Sequence, residues 1–475
     1  MRRALPALLL LALAAGAHQA RVRLIRAWLR PGPLVASLQQ REPQHRALPT
    51  GPLRPVRVLL VDGLSAAVAA QLPAHRQLCV EGLRLTVDVG FPTVSLPVQH
   101  VLWTGAWQLD SGVTFAIARL TRRLLPSLPE LVARRSGQAV AIAESHRQVV
   151  ASFPFTRVVA PPEGGAPMSP PALERAAIDE ARSGAALVLV HTLAVDEAGH
   201  YHGSLSSRYL EAARRSDELL ARLMAARRPD WTLLVLADHG HLGRGGHGDV
   251  EAEVRFPMAC LAGPGIPAGR SLSLGLPDLT AVLAERLGVA APGACAGHGL
   301  EALLEGAEPA RPPGPRRGSQ RLLLGLLPLA VLAAVLLSFR RRLTRRGLVL
   351  LLPWGPAIAA LLLLSLGPPS LSRAFVYPAV SPWLLWVGAA GGLLLALQLA
   401  TARRLGVAPS AALGALAAGL LAPTLAAVSL GGWPLLHPPL VPFWSAWAAC
   451  LLEVSAVGLA VLAVAVSASA SAGRR

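Results

Sequence analysis

Among the 475 residues there is no lysine and no asparagine, and there are only four cysteines and three tyrosines. Without lysine, all 45 basic side chains are arginine; set against 27 acidic ones they leave a formal charge of +18. Such a surplus ordinarily points to nucleic acid or an anionic surface. Here the all-arginine composition reads as a coding bias, and no aromatic-basic platform or recognition-helix pattern accompanies it, so no nucleic-acid partner is expected. No CxxC pair exists, which removes the thiolate zinc motifs. Cys450 falls in an apolar run, leaving Cys79, Cys260 and Cys295 with room for one disulfide at most. Charge of either sign is also scarce, at 15% of residues.

Apolar sequence is plentiful. Hydrophobic residues make up 53% of the chain and its mean hydropathy is +0.48, too apolar for one ordinary soluble domain. Five apolar segments, 322–339, 348–366, 382–400, 411–430 and 441–466, are each long enough to cross a hydrocarbon core about 30 Å thick as a helix. Arg340, Arg341, Arg342, Arg345, Arg346, Arg403, Arg404, Arg474 and Arg475 would then lie on one side, while the loops at 367–381 and 431–440 hold only Arg373. The excess of arginine marks that side as cytoplasmic and predicts a multi-pass membrane protein with its remaining domain outside. The N-terminus agrees: Arg2 and Arg3, an apolar run from Leu8 to Ala15 and small residues at 15–17 read as a signal peptide or short anchor over 1–20. A basic connecting arm follows over 21–55. The Pro- and Arg-rich stretch 308–321 separates a domain at 56–307 from the membrane part at 322–475.

Within 56–307 the fold class is legible as α/β. The run VRVLLVDG from Val56 is continuous and branched, as expected of a parallel strand buried on both faces. Similar runs occur at 138–143, 185–191 and 233–237, alternating with helical stretches at 208–226 and 276–287. This alternation predicts a central, largely parallel sheet flanked by helices, with ligands bound beyond the carboxyl ends of the strands.

Candidate ligands gather at those ends. Asp62 closes the first strand. Asp196 and His200, four residues apart, follow the third, with His202 a weaker candidate. The loop ADHGHLGRGGHGD carries Asp238, His239 and His247 on glycine-rich backbone that folds tightly. Ser95, just before Pro97 and an apolar-periodic segment, suits either a helix N-cap or a nucleophile at the positive end of a helix. Together Asp62, Ser95, Asp196, His200, Asp238, His239 and His247 supply mixed oxygen and imidazole ligands for two divalent ions, with zinc the expected metal. Such a pair suits phosphoryl transfer, and a serine hydroxyl coordinated there needs no histidine base.

The order VDG, FPTxSxPxxHxxxTG, DxxGHxxG, ADHG, GGHG resembles the alkaline phosphatase superfamily, in particular type I phosphodiesterases/nucleotide pyrophosphatases and the catalytic domains of glycosylphosphatidylinositol ethanolamine phosphate transferases. The likeness covers roughly 57–306. It implies an alkaline phosphatase-like fold, one ion on Asp196, His200 and His247, and another on Asp62, Asp238, His239 and Ser95. Ser95 would be the nucleophile, with Thr93 the alternative because phosphodiesterase members usually use Thr. The closeness of His247 to ADHG is similar to the ethanolamine phosphate transferases. With no asparagine in the chain, the Asn that follows the nucleophile in several phosphodiesterases has no counterpart, and His241 and Arg244 are the candidate replacement donors to substrate. The absence of a CxPxR context disfavours a sulfatase. The expected activity is that of a membrane-anchored, outward-facing phosphodiesterase or phosphoethanolamine-type transferase acting on a phosphodiester or phospholipid-type substrate. The alternative is a catalytically silent relative that binds a ligand or serves a transport or assembly partner.

Overall fold

The structure, a computed structural model, describes residues 51–113, 125–145, 147–162 and 164–313, with single positions at 12, 15, 16, 18, 19, 22, 37, 372, 400 and 404. The chain divides into two compact units: residues 31–313 with 371–378, and residues 1–30 with 314–370 and 379–475. The expected signal and the five expected spans lie outside the described residues apart from those single positions. Among the described residues no helix is long and apolar enough to cross a membrane.

Among its described residues the first unit contains eight strands: β1 Val56–Val61, β2 Leu83–Asp88, β3 Ala139–Ala143, β4 Arg157–Val159, β5 Leu187–Thr192, β6 Thr232–Leu236, β7 Met258–Ala262 and β8 Arg270–Gly275. Six helices of nine residues or more accompany them among the described residues: α1 Pro73–Glu81, α2 Ser95–Thr104, α3 Pro170–Arg182, α4 Ala194–His202, α5 Ser207–Ala225 and α6 Leu276–Leu287. The strands form one sheet in the order β4-β3-β5-β1-β6-β7-β2-β8. Neighbours run parallel except β7, which is antiparallel to both β6 and β2. The mixed, mostly parallel α/β sheet expected from the strand–helix alternation is therefore present.

β1 sits between parallel β5 and β6 and explains why its sequence is apolar without alternation. Val58 and Leu60 face one core, shared with Val98, Val101 and Leu102 of α2 and Leu279, Val282 and Leu283 of α6. Leu59 and Val61 face the other, shared with Leu78 of α1, Leu173 of α3 and Leu219, Leu220 and Leu223 of α5. Each such side chain contributes about 1.5–3 kcal/mol through burial. Arg57 breaks the apolar run, and its environment answers for it. Its guanidinium donates to the carbonyls of Ala181 and Ala185 at and just beyond the end of α3 and lies over the Trp231 ring, while burial pushes its pKa down to about 10.

Four strands were not anticipated. β2 (LRLTVD) and β8 (RSLSLG) alternate with period two, the pattern of strands with one solvated face. β4 has three residues, and β7 starts directly after Pro257. A disulfide joins Cys79 on α1 to Cys260 on β7 across 181 residues, and Cys295 is buried apart from it. What matters for function is direction. β1, β5 and β6 are adjacent and run the same way, so the segments that leave their carboxyl ends open over one edge of the sheet.

Candidate active site

Three segments converge at that edge. Asp62 follows β1, α4 with Asp196 and His200 follows β5, and the 238–249 loop follows β6. The turn after β1 is tight. Gly63 has φ +72°, and a Cβ there would lie 2.9 Å from the Asp196 Cα and from His241. The turn is pinned by the Tyr209 hydroxyl, which donates to the Gly63 carbonyl (2.6 Å) and accepts from Ser65 N–H (2.8 Å). α4 is anchored by Glu144, which accepts from the N–H groups of Leu193 (2.6 Å) and Ala194 (3.1 Å) at the helix start, where a carboxylate is favoured.

Ser95 is the first residue of α2; the cap position is taken by Val94, so Ser95 does not serve as the N-cap. Its hydroxyl instead donates to Asp62 Oδ1 (3.2 Å) and lies 3.4 Å from His239 Nε2. Thr93 points elsewhere. Its Oγ1 donates to the Asp249 carbonyl and accepts from Gly248 N–H, both at 2.9 Å, so the hydroxyl is committed to holding the 248–249 backbone.

The buried acids and imidazoles form two adjoining sets. In one, Asp62 Oδ1 is 3.3 Å and Asp238 Oδ1 3.8 Å from His239 Nε2, with Ser95 alongside. In the other, Asp196 Oδ2 is 3.3 Å from His200 Nε2, Asp196 Oδ1 is 3.5 Å from His247 Nε2, and the two Nε2 atoms are 3.1 Å apart. His239 and His247 stack at 3.7 Å, bringing the sets together. Zinc binds nitrogen and oxygen at about 2.0–2.1 Å, and tetrahedral ligands at that distance stand roughly 3.3 Å from one another. The observed separations match this spacing, so the donor sets fit one cation each.

Electrostatics agree. Asp62, Asp238 and His239 are fully buried, and Asp238 Oδ2 has no hydrogen-bond partner. Burial and the neighbouring Asp62 charge push Asp238 up to about 7. Burial and Asp196 also act to raise Asp62, but hydrogen bonds with His191 and His239 outweigh them and hold it well below the usual carboxylate range. Burial alone would depress His239, yet Asp238 and Asp62 push it up to about 10. The potential here is strongly negative and calls for positive charge.

Hydrogen-bond direction sorts the imidazoles. His247 Nδ1 donates to the Thr93 carbonyl (2.7 Å) and His239 Nδ1 to the Gly240 carbonyl (3.2 Å), so in each ring Nε2 is the atom turned to the acids; the proton that Asp62 and Asp238 hold on His239 would be displaced by a bound cation. His241 is the opposite case. Its Nδ1 accepts from Gly246 N–H (3.1 Å), so the proton sits on Nε2 and is donated to Asp196 Oδ1 (2.8 Å). Asp196, His239, His241 and His247 do cluster within metal-binding reach, as do Asp62, Asp238 and His239. The tautomer nevertheless makes His241 a donor that positions Asp196 rather than a ligand. Expected as a substrate-contacting donor, His241 is instead buried against Asp196. Arg244 is exposed on the loop, and exposed His202 meets Arg208 at 3.4 Å, away from the cluster.

His191 was not anticipated in the site. Its Nε2 lies 2.9 Å from Asp62 Oδ2 and orients that carboxylate. In sequence it reads only as the end of a strand. Replacing His241 by Gln should weaken metal binding by about 10–100-fold, as expected for an outer partner of a ligand, with the metal content at saturation unchanged. Chelator competition measures this; loss of one whole ion at saturation would make His241 a ligand.

The type I phosphodiesterase / nucleotide pyrophosphatase family model matches residues 144–243, a stretch that includes Asp196, His200, Asp238 and His239. The resemblance to the alkaline phosphatase superfamily read from the motifs is borne out by this match. A search of curated proteins finds no match. Solved structures similar to this chain include a protein of the alkaline phosphatase superfamily from Vibrio parahaemolyticus (16% identity, 62% of this chain and 79% of that one, TM-score 0.43). Murine ectonucleotide pyrophosphatase / phosphodiesterase 5 is another (14% identity, 53% and 99%, TM-score 0.41). A third is the lipoteichoic acid synthase LtaP from Listeria monocytogenes (12% identity, 55% and 78%, TM-score 0.41).

Proposed function

We propose that this chain is a membrane-anchored, outward-facing two-zinc phosphodiesterase or phosphotransferase that works through a phospho-Ser95 intermediate on a phospholipid- or glycolipid-type phosphodiester. The observation that carries the reading is the position of the Ser95 hydroxyl: at the N-terminus of α2, 3.2 Å from Asp62 Oδ1 and 3.4 Å from His239 Nε2. In this reading Asp62, Asp238, His239 and Ser95 hold one ion and Asp196, His200 and His247 the other. Bound there, the ions would supply Lewis-acid stabilisation of developing negative charge and lower the pKa of the serine hydroxyl.

The residues of the chain account for the rest. Ser95 Oγ forms a bond to phosphorus while the bond from phosphorus to the leaving alcohol breaks. Asp62 Oδ1, which accepts the hydrogen bond from the serine hydroxyl, orients it for attack; the serine proton is released to water and the leaving oxygen takes up a proton from water. The first turn of α2 presents its positive end to the phosphoryl group. Attack by water, or by an acceptor alcohol in a transferase, then breaks the serine–phosphorus bond and restores the hydroxyl. Glu144, Tyr209, His191 and His241 hold the reacting groups in register.

The apolar segments after residue 322 and the one-sided arginine clusters support the membrane anchor and the orientation. An amphiphilic substrate is supported by the rim. Tyr201, next to His200, is 54% exposed, and Leu205, packed against Gly243 of the His-rich loop, is 83% exposed. The test is hydrolysis of bis(p-nitrophenyl) phosphate by the purified full chain in detergent. Turnover that zinc supports and a chelator abolishes is the expected result. No turnover of any diester by zinc-loaded protein would contradict the reading and favour a silent, ligand-binding relative.

A further inference from the structure

Arg134, Arg157, Arg215, Arg222, Arg227, Arg228, Arg255, Arg286 and Arg311 each meet a carboxylate. Among the described residues Arg76, Arg84 and Arg270 meet no carboxylate, and all three line one cavity of about 320 Å³ between α1 and the β2–β8 edge of the sheet, with no acidic residue among those lining it. The cavity is built on a fixed frame. Arg76 lies one helical turn before Cys79, so the two share a face of α1, and the disulfide from Cys79 ties that turn to Cys260 of β7. Cys260 pairs in register with Arg84, which pairs on its other side with Ser271, the residue after Arg270. One covalent bond and two strand ladders thus fix the backbone that carries these three exposed arginines at the cavity, whose wall holds no carboxylate to neutralise them.

The cavity is separate from the metal-binding cluster. Arg84 shares a row of the sheet with Leu59 through Cys260 and Val235, and Asp62 lies three residues further along and three strands away. Strand spacing and rise place the two roughly 15–20 Å apart. We propose that this cavity is a second site that binds a phosphate group, either as free phosphate or as the headgroup of an anionic lipid. Guanidinium forks are suited to phosphate oxygens and bind them in bidentate fashion, and walls fixed in advance reduce the ordering cost of doing so. The volume lies at the lower end of the range for small-ligand pockets, about 300–1,000 Å³, which leaves room for a small group attached to the phosphate. Exposed Val80 on the same wall offers that group an apolar contact.

The test uses the full chain with divalent ions removed by chelator, so that the metal cluster does not hold phosphate. Titration with inorganic phosphate should be followed by calorimetry for wild type and for Arg84→Gln/Arg270→Gln. Wild type is expected to bind, and the double variant to bind at least about 10-fold more weakly, since charge-assisted pairs to phosphate are lost. An unchanged melting temperature without phosphate shows that the variant is folded; Arg76→Gln alone carries the same test if it is not. Bilayer discs distinguish the sources. Phosphate binding that persists in phosphatidylcholine discs and is suppressed by phosphatidylglycerol in wild type identifies a headgroup site, whereas binding indifferent to the lipid identifies free phosphate. Absence of phosphate binding in wild type together with no effect of phosphatidylglycerol, or equal binding by folded variant and wild type, would overturn the proposal.

Discussion

Ser95→Ala is expected to lower kcat for bis(p-nitrophenyl) phosphate by about 10³-fold or more, while zinc content stays close to that of wild type. In the proposed mechanism this hydroxyl attacks phosphorus, and its loss removes an interaction made in the transition state. The ion proposed beside it would keep Asp62, Asp238 and His239, whose Nε2 lies 3.3 Å from Asp62 Oδ1 and 3.8 Å from Asp238 Oδ1. Thr93→Ala is the control, because both residues belong to one short segment. Its hydroxyl holds Gly248 N–H and the Asp249 carbonyl, so its removal should cost about 1–3 kcal/mol of stability and only a modest part of the activity. His247 is held by the Thr93 carbonyl, which the substitution leaves in place. If Thr93→Ala is the inactive variant and Ser95→Ala the active one, the nucleophile is two residues from the position assigned here. If both retain activity, the covalent route fails.

The difference between these two hydroxyls shows where sequence reasoning reaches and where it stops. VRVLLVDG announces β1 because a strand packed on both faces has no solvated side to mark with polar residues. The DxxGH spacing announces a shared face because four residues make about one helical turn. That Ser95 faces Asp62 while Thr93 turns to the 248–249 backbone depends on how α2 lies against β1, and no local pattern encodes it. His191 orients Asp62 across 129 residues, and Cys79 meets Cys260 across 181, through packing that only the assembled sheet brings about. The tautomer of His241 is set by a single backbone N–H in a glycine loop. β2 and β8 were legible in principle, since LRLTVD and RSLSLG alternate, but six residues with polar side chains compete poorly with the continuous runs elsewhere.

Zinc dependence should be equally pronounced. Asp62, Asp196 and Asp238 are brought together in the interior, and Asp238 Oδ2 is without a partner. Ions that bind only the folded state stabilise it by about 2.7 kcal/mol at a hundredfold excess over Kd, so chelation should lower the melting temperature by roughly 5–10 °C. Asp238→Asn should reverse sign with conditions. In the chelated protein, burial and Asp62 push the Asp238 carboxyl up to about 7, so the stability present at low pH is lost as pH rises through that value. Asn carries no such charge, and above pH 7 the chelated variant should be at least as stable as chelated wild type. With zinc the order inverts, because the variant has lost a charged ligand.

The measurement that bears most directly on the two-ion site is the metal content of the purified, active full chain, determined beside Asp238→Asn. Two zinc ions per chain in wild type and one in the variant, with activity lost in step, is the predicted result. A single ion, or none, in fully active wild-type protein would contradict it.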